Sequence, residues 1–135
     1  MSELAQGHLR SARRKLRAAR SLLADELSEE AAAAAYFAML SAARAALADR
    51  GQFAKTHNGT WKLFAQFFVK TDLVEKTQYD AAQRAMELRV AADYWGGGAS
   101  APEAQATISD AESFVQRVSE AAGLLDDDAG GGARP

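Results

Sequence analysis

Residues 28–51 read SEEAAAAAYFAMLSAARAALADRG, and the fold class follows from them. Ser28 offers a side-chain oxygen to the unpaired N–H groups of a helix start, and Glu29 and Glu30 put negative charge at its positive dipole end. Ala31 to Ala35 open the helix, and Tyr36, Met39, Leu40, Ala43 and Leu47 continue its apolar side. Gly51 is placed to end it in the left-handed conformation. Alanine is the strongest helix former, and its short side chain lets two helix backbones come close. Such a helix suits a packing seam within the chain or a dimer interface; periodicity does not choose between them.

The same bias runs through the whole chain. Of 135 residues, 32 are alanine, so the apolar share of 48% describes a core rich in small residues and poor in strand formers. The length accommodates one domain. With no cysteine, a disulfide framework, a thiol nucleophile and a cysteine zinc site are excluded. No apolar run reaches the ~18 residues of a membrane span, and the N-terminus lacks signal-peptide order, which implies a soluble, cytoplasmic protein with no membrane segment. The net charge of −2 hides an asymmetry: Arg10 to Arg20 hold six basic side chains and no acid, whereas Glu103 to Asp128 hold seven acids and one arginine. A uniformly basic nucleic-acid binder is disfavoured, while a local basic stripe remains available for phosphates.

Outward from the alanine helix, Leu9, Ala12, Leu16, Ala19, Leu23 and Leu27 recur at intervals of three and four and define a helix before it. Arg10, Arg13, Arg14, Arg17 and Arg20 flank that stripe as a basic ridge, either a solvated face or a surface for RNA or an acidic partner. After Gly51 comes a loop, with Thr56 or Asn58 to cap a third helix. Five of the eleven aromatics lie between Phe53 and Phe68, at a spacing that reads as core rather than as a base-stacking platform. A fourth helix carries Tyr79, Ala82, Met86 and Val90 as its apolar stripe and ends at Gly96 to Gly98. Ser100 and Glu103 then form a capping box for a fifth, with Pro102 in its first turn and Ile108, Ala111, Val115, Val118 and Ala122 facing inward. The expectation is an all-α protein, an antiparallel up-and-down bundle of four to five helices over residues 1–122, followed by a disordered acidic, glycine-rich tail at 123–135.

The residue inventory removes most catalytic constellations. His8 and His57 are the only histidines, so three-histidine and zinc-hydrolase sites cannot be assembled; no metal and no cofactor are expected. Three features remain. His57 stands at a helix entrance among Lys55, Thr56, Asn58 and Gly59, where an imidazole acts as acid or base near neutrality, or simply caps and packs. Helix amides and Lys55 there favour a phosphate, and Arg50 lies seven positions earlier across the loop. Arg89 and Asp93, one turn apart, project onto the face of Ala82 and Met86, so they must pair, meet a partner chain or line a wet groove with Tyr94 at its mouth. The third feature is the basic ridge.

Four segments together resemble a known family: AYFAMLSAARAAL at 35–47, KTHNG at 55–59, FFVKT at 67–71, and ELR at 87–89 followed by ADY at 92–94. In order and separation they look like the "AYYAMFHAARALL", "KTHSG", "FVKTGL" and "ELRxxADY" segments of small stand-alone prokaryotic members of the HEPN-domain superfamily. The resemblance spans about Leu9 to Ala122. It implies a helical bundle that forms a homodimer with grooves across the interface. It also implies metal-independent endoribonuclease activity, in a toxin–antitoxin or anti-phage pair with a nucleotidyltransferase partner. The usual signature of that superfamily is an arginine and a histidine with four to six residues between them, sometimes with a tyrosine two residues after the histidine. Histidine moves the proton and arginine stabilises the phosphorane charge. Here Arg89 aligns with the signature arginine, but the downstream histidine is absent and Asp93-Tyr94 stands near its place. Arg50 and His57 fit the spacing formally, in a different loop.

The resulting candidates are Arg89, His57 and Asp93 for catalysis, with Arg50, Lys55, Asn58, Tyr94, Arg10, Arg13 and Arg17 for RNA or nucleotide contacts. Tyr94 is also a candidate for nucleotide transfer from the partner. Two other readings stand beside the ribonuclease: a non-catalytic nucleotide- or RNA-binding module, and a homodimeric interaction scaffold.

Overall fold

The computed structural model describes residues 2–124, whose regular structure is entirely helical. Helices α1 (Glu3–Ala24) and α2 (Ser28–Ala48) form an antiparallel hairpin. After a loop, α3 (His57–Phe64) runs into a π-helical turn, Ala65–Val69, and α4 (Lys76–Trp95) and α5 (Ala101–Ala121) complete the up-and-down bundle.

Helix α2 is enclosed by the others, packing against α1, α3, α4 and α5. Fourteen of its 21 residues are buried, as a helix apolar on every side requires. Its length and composition would also suit a bilayer, but 78% of its apolar window lies inside the bundle. Alanine is what permits this enclosure. Ala31, Ala35, Ala38, Ala43, Ala45 and Ala46 are each fully buried, so neighbouring backbones occupy the space that larger side chains would need.

The inward stripe of α5 matches its periodicity at Ile108, Ala111, Val115 and Val118, and that of α1 at Leu9, Ala12, Leu16 and Ala19; Leu23 is only partly covered, and Leu27, beyond the end of α1, is 43% exposed instead of facing the core. Phe114 of α5 adds the aromatic contact: its ring centroid is 5.8 Å from Trp61 and 5.6 Å from Phe64, and Phe64 stacks on Phe68 at 5.2 Å. Phe53 departs from the expected aromatic core, being 65% exposed.

The apolar stripe of α4 also differs from the sequence reading. Ala81, Ala82 and Ala85 are buried, whereas Val90 is 41% exposed and Met86 only partly covered. Burial fades along the helix: Leu88 and Arg89 are only partly covered, like Met86, and beyond them Val90, Ala91, Asp93 and Tyr94 are exposed, so the C-terminal part of α4 stands off the core. Arg89 and Asp93, seven and eleven residues beyond Ala82, keep its direction to within about 20°. They emerge at the bundle's edge because the helix has left the core there.

Four helix ends share one closure. At each, an N–H bonds the carbonyl five residues earlier: Leu27 to Leu22, Gln52 to Leu47, Leu73 to Phe68 and Leu124 to Ser119. The preceding residue is left-handed in every case, Gly51 and Gly123 where glycine is free to be so, Glu26 (φ 65°) and Asp72 (φ 62°) where it is not. Two expectations change as a result. Leu27, the last residue of the first closure, is the N-cap of α2, so Ser28 lies inside the helix and gives no capping bond. The fold also extends past residue 122, because Leu124 is buried at 5% exposure and its carbonyl accepts from Ser119 Oγ at 2.9 Å; residues 125–135 of the expected tail lie outside the described residues. The Ser100–Glu103 capping box forms as read.

Enlarging a residue in the enclosed helix tests this arrangement. Ala46→Leu is expected to lose about 1–3 kcal/mol in urea unfolding through overpacking, while Ala18→Leu on the exposed side of α1 stays within about 0.5 kcal/mol of wild type.

Candidate functional site

Tyr36 and Phe37 are consecutive on α2 and diverge by about 100°. Tyr36 is fully buried, and Phe37 sits half-buried at the edge. His57 begins α3, set by Thr56, whose Oγ1 accepts the Gly59 N–H at 2.9 Å. Residue 59 has no room for more than hydrogen: a Cβ there would stand 2.9 Å from Thr56 Oγ1 and 3.3 Å from the Ala54 side chain. This tight turn aims the imidazole at α2. The Tyr36 hydroxyl accepts from Trp61 Nε1 at 3.1 Å and lies 3.2 Å from His57 Nδ1.

Phe37 joins the two strongest sequence candidates. The His57 ring stands edge-on to it, with centroids 5.8 Å apart, and the Arg89 guanidinium lies over its face at 4.8 Å. Arg89 Nη2 is 3.7 Å from Asp93 Oδ2, so the arginine is held between a ring face and a carboxylate. Beside it a small cleft of about 50 Å³ is lined by Glu29, Ala33, Leu88, Arg89, Asp93 and Ala99. Gly98 lets the α4–α5 connection close over this end of α2, since a Cβ there would lie 3.1 Å from Glu29 Cβ.

The other candidates disperse. Lys55 and Asn58 flank His57 and are exposed, and Tyr94 is 79% exposed beyond Asp93. Arg50 does not join His57; its guanidinium rests on the Phe68 ring at 4.7 Å. Part of the basic ridge is turned to α5. Arg13 Nη2 reaches Gln116 Oε1 at 3.3 Å, and Arg20 Nε donates to Glu112 at 2.7 Å. Arg10 and Arg17 occupy exposed positions on the same helix.

Sequence reasoning missed Arg44. It is the only charged residue between Ala31 and Ala48, a signal that was available, and it is half-buried. Burial and then the fields of Arg44 and Arg89 hold His57 below its ordinary pKa of 6.5. Burial, Arg44 and Lys15 do the same to His8. Both imidazoles are therefore neutral at pH 7. Between pH 6.5 and their lowered pKa values the unfolded chain binds more protons than the folded one, so stability is lost on acidification through that window. NMR titration is expected to give midpoints below 6.5 for both histidines, and Arg44→Gln to raise both; an unmoved His57 midpoint would contradict this electrostatic picture.

The HEPN domain family profile matches residues 5–121. Over 116 residues the chain is 32% identical to the Methanocaldococcus jannaschii protein named "Putative toxin MJ0605", covering 86% of this chain and 87% of that one. Over 111 residues it is 31% identical to "UPF0332 protein glr0978" of Gloeobacter violaceus, covering 81% and 88%. The bundle, the motif order and these matches agree: the chain belongs to the HEPN domain family.

Proposed function

We propose that this chain is the toxin half of a toxin–antitoxin or anti-phage pair, acting in the cytoplasm on RNA at the Arg89–Phe37–His57 site. The observation that carries this reading is the convergence of Arg89 and His57 on one aromatic ring, Phe37, from different helices. An arginine supplies charge to a phosphate undergoing transfer, and a neutral imidazole exchanges its proton. The toxin named among its relatives supports the biological role.

The hydrogen bonds of Tyr36 bear on whether cleavage occurs. An indole N–H only donates, so Tyr36 accepts from Trp61 and its own proton is directed to His57 Nδ1. That arrangement puts the imidazole proton on Nε2, as a donor to a phosphate oxygen. It favours the second reading, an RNA-binding HEPN module with little or no cleavage, in which Asp93 holds Arg89 in place.

We further propose that the chain forms a homodimer through the face that α4 turns outward, where Met86, Glu87, Val90 and Ala91 line an open, largely apolar hollow of about 270 Å³. Its regulator in this reading is a nucleotidyltransferase antitoxin, with the exposed Tyr94 hydroxyl as acceptor of the transferred nucleotide.

With RNA and EDTA, a nuclease at this site is expected to cleave as wild type and at least about a hundredfold more slowly as His57→Ala or Arg89→Ala. RNA left intact by wild type but retained in a complex would establish the binding module instead. Val90→Glu is expected to shift the sedimentation of a dimer to that of a monomer. Mass spectrometry finding no added nucleotide after co-expression with the neighbouring nucleotidyltransferase would remove Tyr94 from the scheme.

A further inference from the structure

A second cleft, of about 190 Å³, lies between α1, the C-terminal half of α2 and the loop leading to α3, and the site described above does not use it. His8, Arg44, Leu47, Gln52, Phe53 and Thr60 are among its walls. Among the described residues Arg44 has no carboxylate partner and no hydrogen-bond acceptor, although it is half-buried. A guanidinium removed from bulk water without a counterion is poised for an anion from outside. His8 shares the wall and has no hydrogen-bond partner among the described residues either. Lys15 is two turns along α1 on the same side, its ammonium fixed by Ser11 Oγ at 2.8 Å and Ser41 Oγ at 3.0 Å.

Phe53 gives the cleft a second chemistry. It is 65% exposed, where Trp61, Phe64 and Phe68 of the same aromatic run are fully enclosed. An open ring beside an unpaired arginine is the combination that holds a base and its phosphate together. The cleft adjoins the other site, because Thr60 in its wall is one turn from His57 and Arg44 acts electrostatically on both His8 and His57. Arg89, His57, Arg44 and His8 are thus contributed by α4, α3, α2 and α1 in turn, with Arg44 coupling the two histidines.

We propose that the His8–Arg44–Phe53 cleft is a second nucleotide subsite for single-stranded RNA, in which Arg44 and His8 hold a backbone phosphate and Phe53 stacks on the attached base. This rests on the reading of the Arg89–His57 site as an RNA site and extends it by one nucleotide. Recognition is by backbone and ring face, so the subsite tolerates any base.

Fluorescence anisotropy with a labelled single-stranded 2′-O-methyl oligonucleotide, which has no free 2′-hydroxyl to react, separates binding from cleavage. Phe53→Ala is expected to weaken binding about tenfold with unchanged thermal unfolding, since its ring is outside the core. Arg44→Gln is expected to weaken binding and to lower the log–log salt slope by about 0.7, the loss of one phosphate contact. His8→Gln provides the same test should Arg44→Gln unfold at a lower temperature. Wild-type affinity in Phe53→Ala, or no binding by wild type, overturns the proposal. Dependence on Arg44 without Phe53 also overturns it, leaving an anion site of the kind an acidic peptide would use. Binding that depends on both residues, with unmodified RNA left uncut, keeps the subsite and discards the nuclease. Cleavage unaffected by either substitution does the reverse.

Discussion

Because α2 is surrounded by four other helices, each polar group along it must find a partner inside the protein or open onto a wet cleft. Between Ala31 and Ala48 only Tyr36, Ser41 and Arg44 have polar side chains, and each defines a local feature. Tyr36 is satisfied by Trp61 and His57, which fixes the start of α3. Ser41 accepts from Lys15, which anchors an ammonium between α1 and α2. Arg44 finds no such partner among the described residues, and it is there that the chain keeps an open cleft. The functional surface is thus a consequence of burying one helix: the alanines remove volume, and the three exceptions mark where the packing gives way to chemistry.

The charge asymmetry along the sequence has a structural outcome of the same kind. The basic α1 packs beside the acid-bearing α5, and Arg20 meets Glu112 where the two helices run together. Both partners are substantially exposed, so solvent screens the pair and its effect is on which helices lie side by side more than on stability. Arg117 of α5 acts differently. Its Nε bonds Glu75 at 2.9 Å and its Nη2 the Leu73 carbonyl at 2.9 Å, so it ties down the turn that follows the π-helical segment.

Much of this was legible in the sequence. The stripes of α1 and α5, the capping box at Ser100, the turn at Thr56 and the pairing of Arg89 with Asp93 all follow from spacing and local hydrogen-bond chemistry. What was not legible depends on where a helix leaves the core or on residues that act against their type. The inward face of α4 loses its cover toward the C-terminal end, which a list of apolar positions conceals. Glu26 and Asp72 take conformations usually left to glycine, at closures that end on the exposed Leu27 and the half-buried Leu73. Phe53 has the composition of a core residue and the location of a surface one. Arg89 and His57 were each singled out, but their meeting point, Phe37, is visible only once α2, α3 and α4 are assembled.

That meeting point changes how the missing signature histidine is to be understood. In the superfamily signature the arginine and histidine are close in sequence, with four to six residues between them. Here the imidazole approaches Arg89 from α3, and its position depends on Tyr36 and Trp61 in the core. The same anchorage selects its tautomer. To expose a basic Nε2, His57 must donate from Nδ1 to a tyrosine oxygen that already accepts from Trp61, which leaves the tyrosine proton without an acceptor in a fully buried position. An orphaned buried donor costs about 1–3 kcal/mol, which biases the imidazole roughly five- to a hundred-and-fifty-fold toward the form with Nε2 protonated. A histidine supplied this way is a better phosphate donor than a base. In the proposed RNA site, a base that opens the 2′-hydroxyl has to overcome that bias or come from another chain.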